Sequence, residues 1–167
     1  MSPRLYTLRS TWHLPAGPDR VWEIITDPGL TPGTPFWWPG SLLLAPLPLK
    51  DAHGSQQESL LRTTAQLSFR SGIGYRLNIA VHPTRVQRPS VLEFDADGDL
   101  QGCGALRLSA ADDGASTRLE IEWTVRPTRR WMIVLSPLAA PVFTAAHARV
   151  MRRGEEGLTR LLQSGAP

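Results

Sequence analysis

His147 is the residue in this chain best suited to shielded proton chemistry. Of the four histidines, His13, His53, His82 and His147, no two stand at metal-ligand spacing. Alternation puts His13 and His82 on the polar sides of strands. His147 falls on or beside the apolar face of a C-terminal helix, where it serves as a hydrogen-bonded boundary residue or as a pocket acid/base. Tyr6 and Tyr75 add hydroxyls on apolar strand faces, so His147 and Tyr75 are the candidate catalytic residues. Glu93, Glu120 and Glu122 alternate onto outward faces, away from any shielded site where a shifted pKa would help catalysis.

Other arrangements that could do chemistry read as structural. No Ser-His-acid set is visible locally, and Cys103, the one cysteine, has no motif that marks a nucleophile. It reads as a buried or strand-bound inert thiol. Asp95, Asp97 and Asp99 crowd around Gly98, but a calcium loop counted from Asp95 would need Gly and Glu where Leu100 and Leu106 stand. A solvated turn is the expectation. Gly72-Ile73-Gly74 lacks the third glycine of a dinucleotide loop and opens a strand. Gly102 and Gly104 suit a strand that bends or is closely approached by another backbone. No metal and no cofactor are expected.

These residues must be positioned by the elements that carry them. Tyr6 to Leu14 alternates with a period of two, the mark of a half-buried strand. Asp19 or a neighbour opens a short helix with Val21, Trp22, Ile24 and Ile25 on one face, and Asp27-Pro28-Gly29 ends it. Leu30 to Gly40 reads as a loop or a single helical turn, Leu42 to Leu49 as an edge strand containing Pro46 and Pro48, and Asp51 to Gln57 as a polar turn. Ser59 to Phe69 and Tyr75 to His82 alternate as strands around a turn at 71–74, with Pro83 to Pro89 as the next break. Val91 to Ala96, Leu100 to Leu108 and Arg118 to Val125 complete the sheet, the last two joined at the hairpin signal Asp112-Asp113-Gly114. From Pro141 the period shifts to three and four through Phe143, Val150, Gly154, Leu158 and Leu161, a helix with one apolar face. Trp131 to Pro137 reads as a separate turn or lead-in.

Each well-patterned strand has one apolar side, so the sheet has a single covered face, and the C-terminal helix is the element large enough to cover it. A sheet curved around a helix leaves an apolar cleft, a ligand site by default. Its sheet wall is expected to carry Tyr6, Ser10, Trp12, Thr63, Ala65 and Phe69, continued by Tyr75, Leu77, Phe94, Leu106 and Trp123. Phe143 and His147 face them from the helix, while Trp37 and Trp38 sit on a proline-bounded loop suited to a lid.

Composition narrows the class. The chain has 167 residues, 41% hydrophobic, and suits one domain over 1–167 that needs no disulfide or metal to fold. Net charge is +3 and the pI about 9.7. Seventeen of the 18 basic residues are arginine, scattered rather than striped, which argues against nucleic acid as a partner. The apolar stretches are short and proline-broken, so no integral membrane association is expected. A lone thiol and the absence of a signal-like N-terminus point to the cytoplasm, as monomer or homodimer.

The order of elements resembles the START-like superfamily of helix-grip proteins, also known as the polyketide cyclase/dehydrase and lipid-transport (SRPBCC) superfamily. The resemblance rests on Trp12-His13-Leu14-Pro15-Ala16, Val21-Trp22-Glu23, Asp27-Pro28 and Trp37-Trp38-Pro39-Gly40. It continues through Gly98 to Gly104 and Val150-Met151-Arg152-Arg153-Gly154-Glu155, nearly the whole chain. It implies an α+β helix-grip fold: a curved antiparallel sheet of six to seven strands around a long C-terminal helix, with a short helix pair after the first strand. It also implies a cavity between sheet and helix, but no universal catalytic residue. The leading expectation is a binder of an apolar or aromatic small molecule, lipid- or polyketide-like. The alternatives are a polyketide cyclase/dehydratase-type enzyme in the same cavity and a protein-interaction module.

Overall fold

A computed structural model describes residues 5–26, 37–44, 55–70 and 74–164, with backbone only over 134–140. The expected helix stop at Asp27-Pro28-Gly29, the loop over 30–36, the proline-bearing part of the edge strand over 45–49, and the turns at 51–54 and 71–73 lie outside the described residues.

Among the described residues seven strands form one antiparallel sheet: β1 (Tyr6–Leu14), β2 (Ser41–Leu43), β3 (Ala65–Arg70), β4 (Arg76–Gln87), β5 (Val91–Gly98), β6 (Leu100–Ala110) and β7 (Thr117–Pro127). Their order across the sheet is β1-β7-β6-β5-β4-β3-β2. The chain's first strand closes one edge against β7, with Trp12 opposite Leu119 and Tyr6 opposite Val125. Among the described residues three helices accompany the sheet: α1 (Pro18–Ile25), α2 (Gln56–Leu61) and α3 (Arg130–Gln163). This is the α+β helix-grip fold, with α3 packed along β1.

Alternation decides what is buried. Trp12 and Leu14 of β1, Leu119 and Ile121 of β7, and Leu108 of β6 point to one side and meet Val21 and Trp22 of α1 and Met151 and Leu158 of α3. A second cluster, Phe69, Ile79 and Ala96, lies further along the same face. Gly17 caps α1 without a side-chain bond and Pro18 takes the first position, where its missing N–H costs nothing. Asp19 therefore lies inside the first turn, where the helix dipole favours a carboxylate, rather than at the cap.

Four boundaries differ from the sequence expectation. The last helix starts at Arg130, not Pro141, and runs through Pro137 and Pro141. Two missing N–H donors remove two intrahelical bonds. Packing at both ends, at Met132 and from Met151 to Leu158, supplies the stability that propensity does not. The second short helix is α2, placed after β2, where a polar turn and the start of a strand were expected. Its signal was present: Ser55 and Glu58 form a reciprocal capping box. β4 does not stop at Pro83 but passes through it with a bulge before Arg85. On β4, only Arg76 to Val81 pair with β3, so Pro83 needs no partner on that side of the ladder. β2 is only three residues long among the described positions.

Asp99 corrects the reading of the Asp95-Asp97-Asp99 turn. Asp95 and Asp97 are exposed, but Asp99 is 4% exposed. It accepts hydrogen bonds from the Tyr75 hydroxyl at 3.0 Å and the Asn78 backbone N–H at 2.9 Å, and pairs with Arg129. Burial alone raises its pKa, but those bonds outweigh it and hold the carboxyl below its ordinary value. The group ties the start of β4 to the N-terminus of α3. Asp99→Asn is expected to cost about 1–2 kcal/mol at pH 7. A carboxyl with a depressed folded pKa stabilises fully above the unfolded value near ~3.9 and loses that contribution as pH falls through the folded one. Urea melts of the two proteins should therefore differ at pH 7, and the difference should shrink as pH falls below the ordinary carboxyl range.

Candidate functional site

The covered face of the sheet is not filled solid. One chamber of about 130 Å³ lies between the sheet and α3. Its sheet wall is Tyr6, Leu8, Leu77, Ile79, Trp123 and Val125. Its helix wall is Met132, Phe143, Ala146, His147, Val150 and Met151. A second chamber of about 170 Å³ lies beside it and touches none of the described residues of α3. Trp12, Thr63, Ala65, Phe94 and Leu106 line it, and Trp37, Leu60 and Ile25 close it from the opposite side. Trp38, Phe69 and Trp123 border both chambers.

The partition is aromatic and well held. Trp38 meets Phe69 edge-on at 5.4 Å, stacks on Trp37 at 5.4 Å and meets Trp12 at 5.3 Å. Its indole N–H donates to the Val150 carbonyl at 2.8 Å, fixing the loop to α3. Small residues make this approach possible. A Cβ at Gly154 would lie 2.5 Å from the Trp38 ring, and one at Gly157 would lie 2.2 Å from the Trp37 carbonyl oxygen. Trp123 meets Phe94 edge-on at 5.3 Å over Gly104, where a Cβ would lie 2.5 Å from the Phe94 ring.

The residues named from the sequence divide between the two chambers. Tyr6, Leu77, Phe143 and His147 line the helix-side one, and Trp12, Trp37, Thr63, Ala65, Phe94 and Leu106 the other. Ser10 and Tyr75 line neither. Ser10 is half-buried on β1 opposite Ile121. Tyr75 precedes β4, its ring edge-on to Trp131 at 5.0 Å and its hydroxyl on Asp99. Burial and the neighbouring carboxylate raise its pKa, the opposite of what an acid/base near neutrality requires. His147 is left as the catalytic candidate that faces a chamber. Met132 was missed because the helix was expected to begin later. Leu8, Ile79 and Val125 carried the alternation signal that could have included them. Cys103 lies exposed on β6, strand-bound but not buried.

Polar chemistry in the chambers is sparse. The hydroxyls of Thr26 and Thr63 are committed to backbone carbonyls of α1 and α2, at 2.7 Å each. His147 differs. Its Nε2 is buried with no hydrogen-bond partner among the described residues, and desolvation lowers its pKa. The imidazole is therefore neutral near pH 7. Among the described residues no three His, Cys, Asp or Glu gather as a metal site.

A histidine whose folded pKa is depressed costs stability as pH falls below its unfolded value near ~6.5. His147→Leu is accordingly expected to be neutral or stabilising at pH 7 and to flatten the loss of thermal stability between pH 6.5 and 5. A loss at pH 7 of more than about 1 kcal/mol would mean that Nε2 has a partner worth that much.

No family model matches the chain, and no curated protein does. Solved structures do. A START superfamily protein from Mycobacterium smegmatis superposes with a TM-score of 0.65 at 13% identity, over 96% of this chain and 99% of that one. A protein from Thermus thermophilus gives 0.63 at 15% identity, over 96% and 100%. A third, from Rhodobacter sphaeroides, gives 0.60 at 16% identity, over 99% and 100%. Identity at this level speaks for the fold alone: the chain has the START-like helix-grip architecture.

Proposed function

We propose that the protein binds an apolar or aromatic small molecule, lipid- or polyketide-like, in the chamber between sheet and α3, with the second chamber as an extension. The carrying observation is a pair of adjoining chambers with aromatic and aliphatic walls and one uncommitted imidazole. An apolar cavity of about 150 Å³ already admits a benzene-sized ring. The two chambers together reach the lower end of small-molecule sites, about 300 Å³ and upward. His147 Nε2 supplies a single hydrogen bond, enough to orient one hydroxyl or carbonyl on an otherwise apolar body. The site suits a protein that carries or sequesters its ligand.

A cyclase- or dehydratase-type enzyme using the same chamber is the second reading. One observation favours it: burial keeps His147 neutral, the form a general base needs.

Native mass spectrometry of the purified protein, with titration of the neutral probe N-phenyl-1-naphthylamine, tests the binding reading. A co-purified apolar compound or saturable probe binding is expected, lost in Ala146→Trp, which fills the helix-side chamber, while the fold persists. A ligand-free mass with no saturable binding, or binding unchanged by Ala146→Trp in a folded protein, would sink it. Catalysis would appear as turnover lost in His147→Ala while probe affinity is retained.

A further inference from the structure

We infer that the N-terminal half of α3 docks onto an anionic lipid bilayer. Between Glu122 and Glu155 the chain has no acidic residue and six arginines: Arg126, Arg129, Arg130, Arg149, Arg152 and Arg153. Between Arg130 and Arg149, from Trp131 to Ala148, lie eighteen residues with no charge at pH 7. That run lies on α3, and described side chains on either side of 134–140 reach the protein surface. A surface helix ordinarily puts charge on its outer face, and this one does so only at the two ends of the run.

The outer face is visible at both ends of the run. Trp131 is 39% exposed and Val142 49% exposed, and Pro141, Thr144, Ala145 and Ala148 are exposed as well. At about 100° per residue, Trp131, Val142 and Arg149 fall within about 20° of one another, so aromatic, aliphatic and cationic groups share a stripe. Arg130, Arg149 and Arg152 are exposed, and none forms an ion pair among the described residues. Arg129 is engaged by Asp99 and is not counted among the cations available to lipid.

An uncharged stripe between terminal arginines, with a tryptophan at one end, fits a helix lying in the headgroup layer of an anionic membrane. A nucleic acid is disfavoured because its evenly spaced phosphates would find no cationic side chain between Arg130 and Arg149. A second copy is disfavoured because two arginine-rich faces would be opposed. Among the described residues no helix is long and apolar enough to cross a bilayer, so the association is peripheral. Met132, Phe143, Ala146 and His147 of the same helix wall the helix-side chamber, which puts the docked surface one side chain away from it. The docking does not depend on whether that chamber holds a ligand.

Flotation of the full chain with vesicles of phosphatidylcholine, alone or mixed with phosphatidylglycerol, tests this. Binding is expected to the mixed vesicles only and to weaken with added salt. Arg149→Glu with Arg152→Glu should lower affinity at least about tenfold, and Val142→Asp should lower it similarly with unchanged circular dichroism. Trp131→Ala should abolish a blue shift of tryptophan emission seen on binding. Three results would overturn the proposal: no binding to the mixed vesicles; binding that Val142→Asp leaves intact, the sign of a general polyanion site; or a concentration-dependent dimer abolished by Val142→Asp with no vesicle binding, the sign of a second copy.

Discussion

Gly102→Ala is expected to lose about 3 kcal/mol or more of unfolding free energy, a large part of the total for a domain of this size. Gly102 sits in β6 between β5 and β7, opposite Ala96 and Val125. A Cβ there would stand 2.0 Å from the Thr124 carbonyl oxygen and 2.9 Å from the Val125 Cα. The obstacle is backbone of a paired strand, not the end of a flexible side chain. Relief requires moving β7 away from β6, and β7 also holds β1. Gly17 and Gly114 provide the contrast, because a Cβ at either meets nothing within 4 Å. Gly17→Ala should be near neutral. Gly114→Ala should cost about 1 kcal/mol, for its φ of +67° alone. Urea denaturation of the three variants measures the ranking. A Gly102→Ala protein within about 0.5 kcal/mol of the parent would show that the two strands can separate more freely than their pairing implies.

Trp38→Ala is expected to do two opposed things: lose about 3–4 kcal/mol and enlarge the ligand space. Truncating a large aromatic removes its packing and leaves a cavity. Here the ring touches Trp12, Trp37 and Phe69, and its N–H holds the Val150 carbonyl. The void it leaves adjoins both chambers, so their volumes should merge. Trp38→Phe keeps most of the ring and loses the N–H bond, and should cost about 1 kcal/mol. The pair separates packing from hydrogen bonding. Thermal melts read the stability. Titration with a longer apolar probe reads the space, which Trp38→Ala should accept more tightly than the parent does. Equal affinity in a folded Trp38→Ala protein would mean that the surrounding side chains collapse into the void, as some sites do.

Both expectations concern residues whose identity is easy to see and whose neighbours are not. Gly102 and Gly104 are visible as glycines in a strand, but the atoms that forbid a side chain belong to Thr124 and Phe94. Trp38 is one of a conspicuous aromatic pair. Its place between two chambers depends on Phe69 from one strand, Trp123 from another and Gly154 from a helix.

Local pattern by itself determined which sides of the strands are buried, though not where β3 begins or where β4 ends. The alternation in Tyr6–Leu14 marks both its limits and the sides of Trp12 and His13, because side-chain direction along a strand is a local property of the backbone. The long apolar face from Phe143 to Leu161 and the one-sided sheet follow from the same periodicities. Tertiary structure decided what periodicity cannot encode. Two prolines predict a break near 137–141, and the helix nonetheless continues to Arg130, because burial at its two ends outweighs two lost hydrogen bonds. Asp99 looks like a turn carboxylate until Tyr75 and Asn78 at the start of β4 and Arg129 at the N-terminus of α3 converge on it. The division of the cleft into two chambers belongs to the same class: empty volume is set by how distant side chains meet, and no segment of chain carries that information alone.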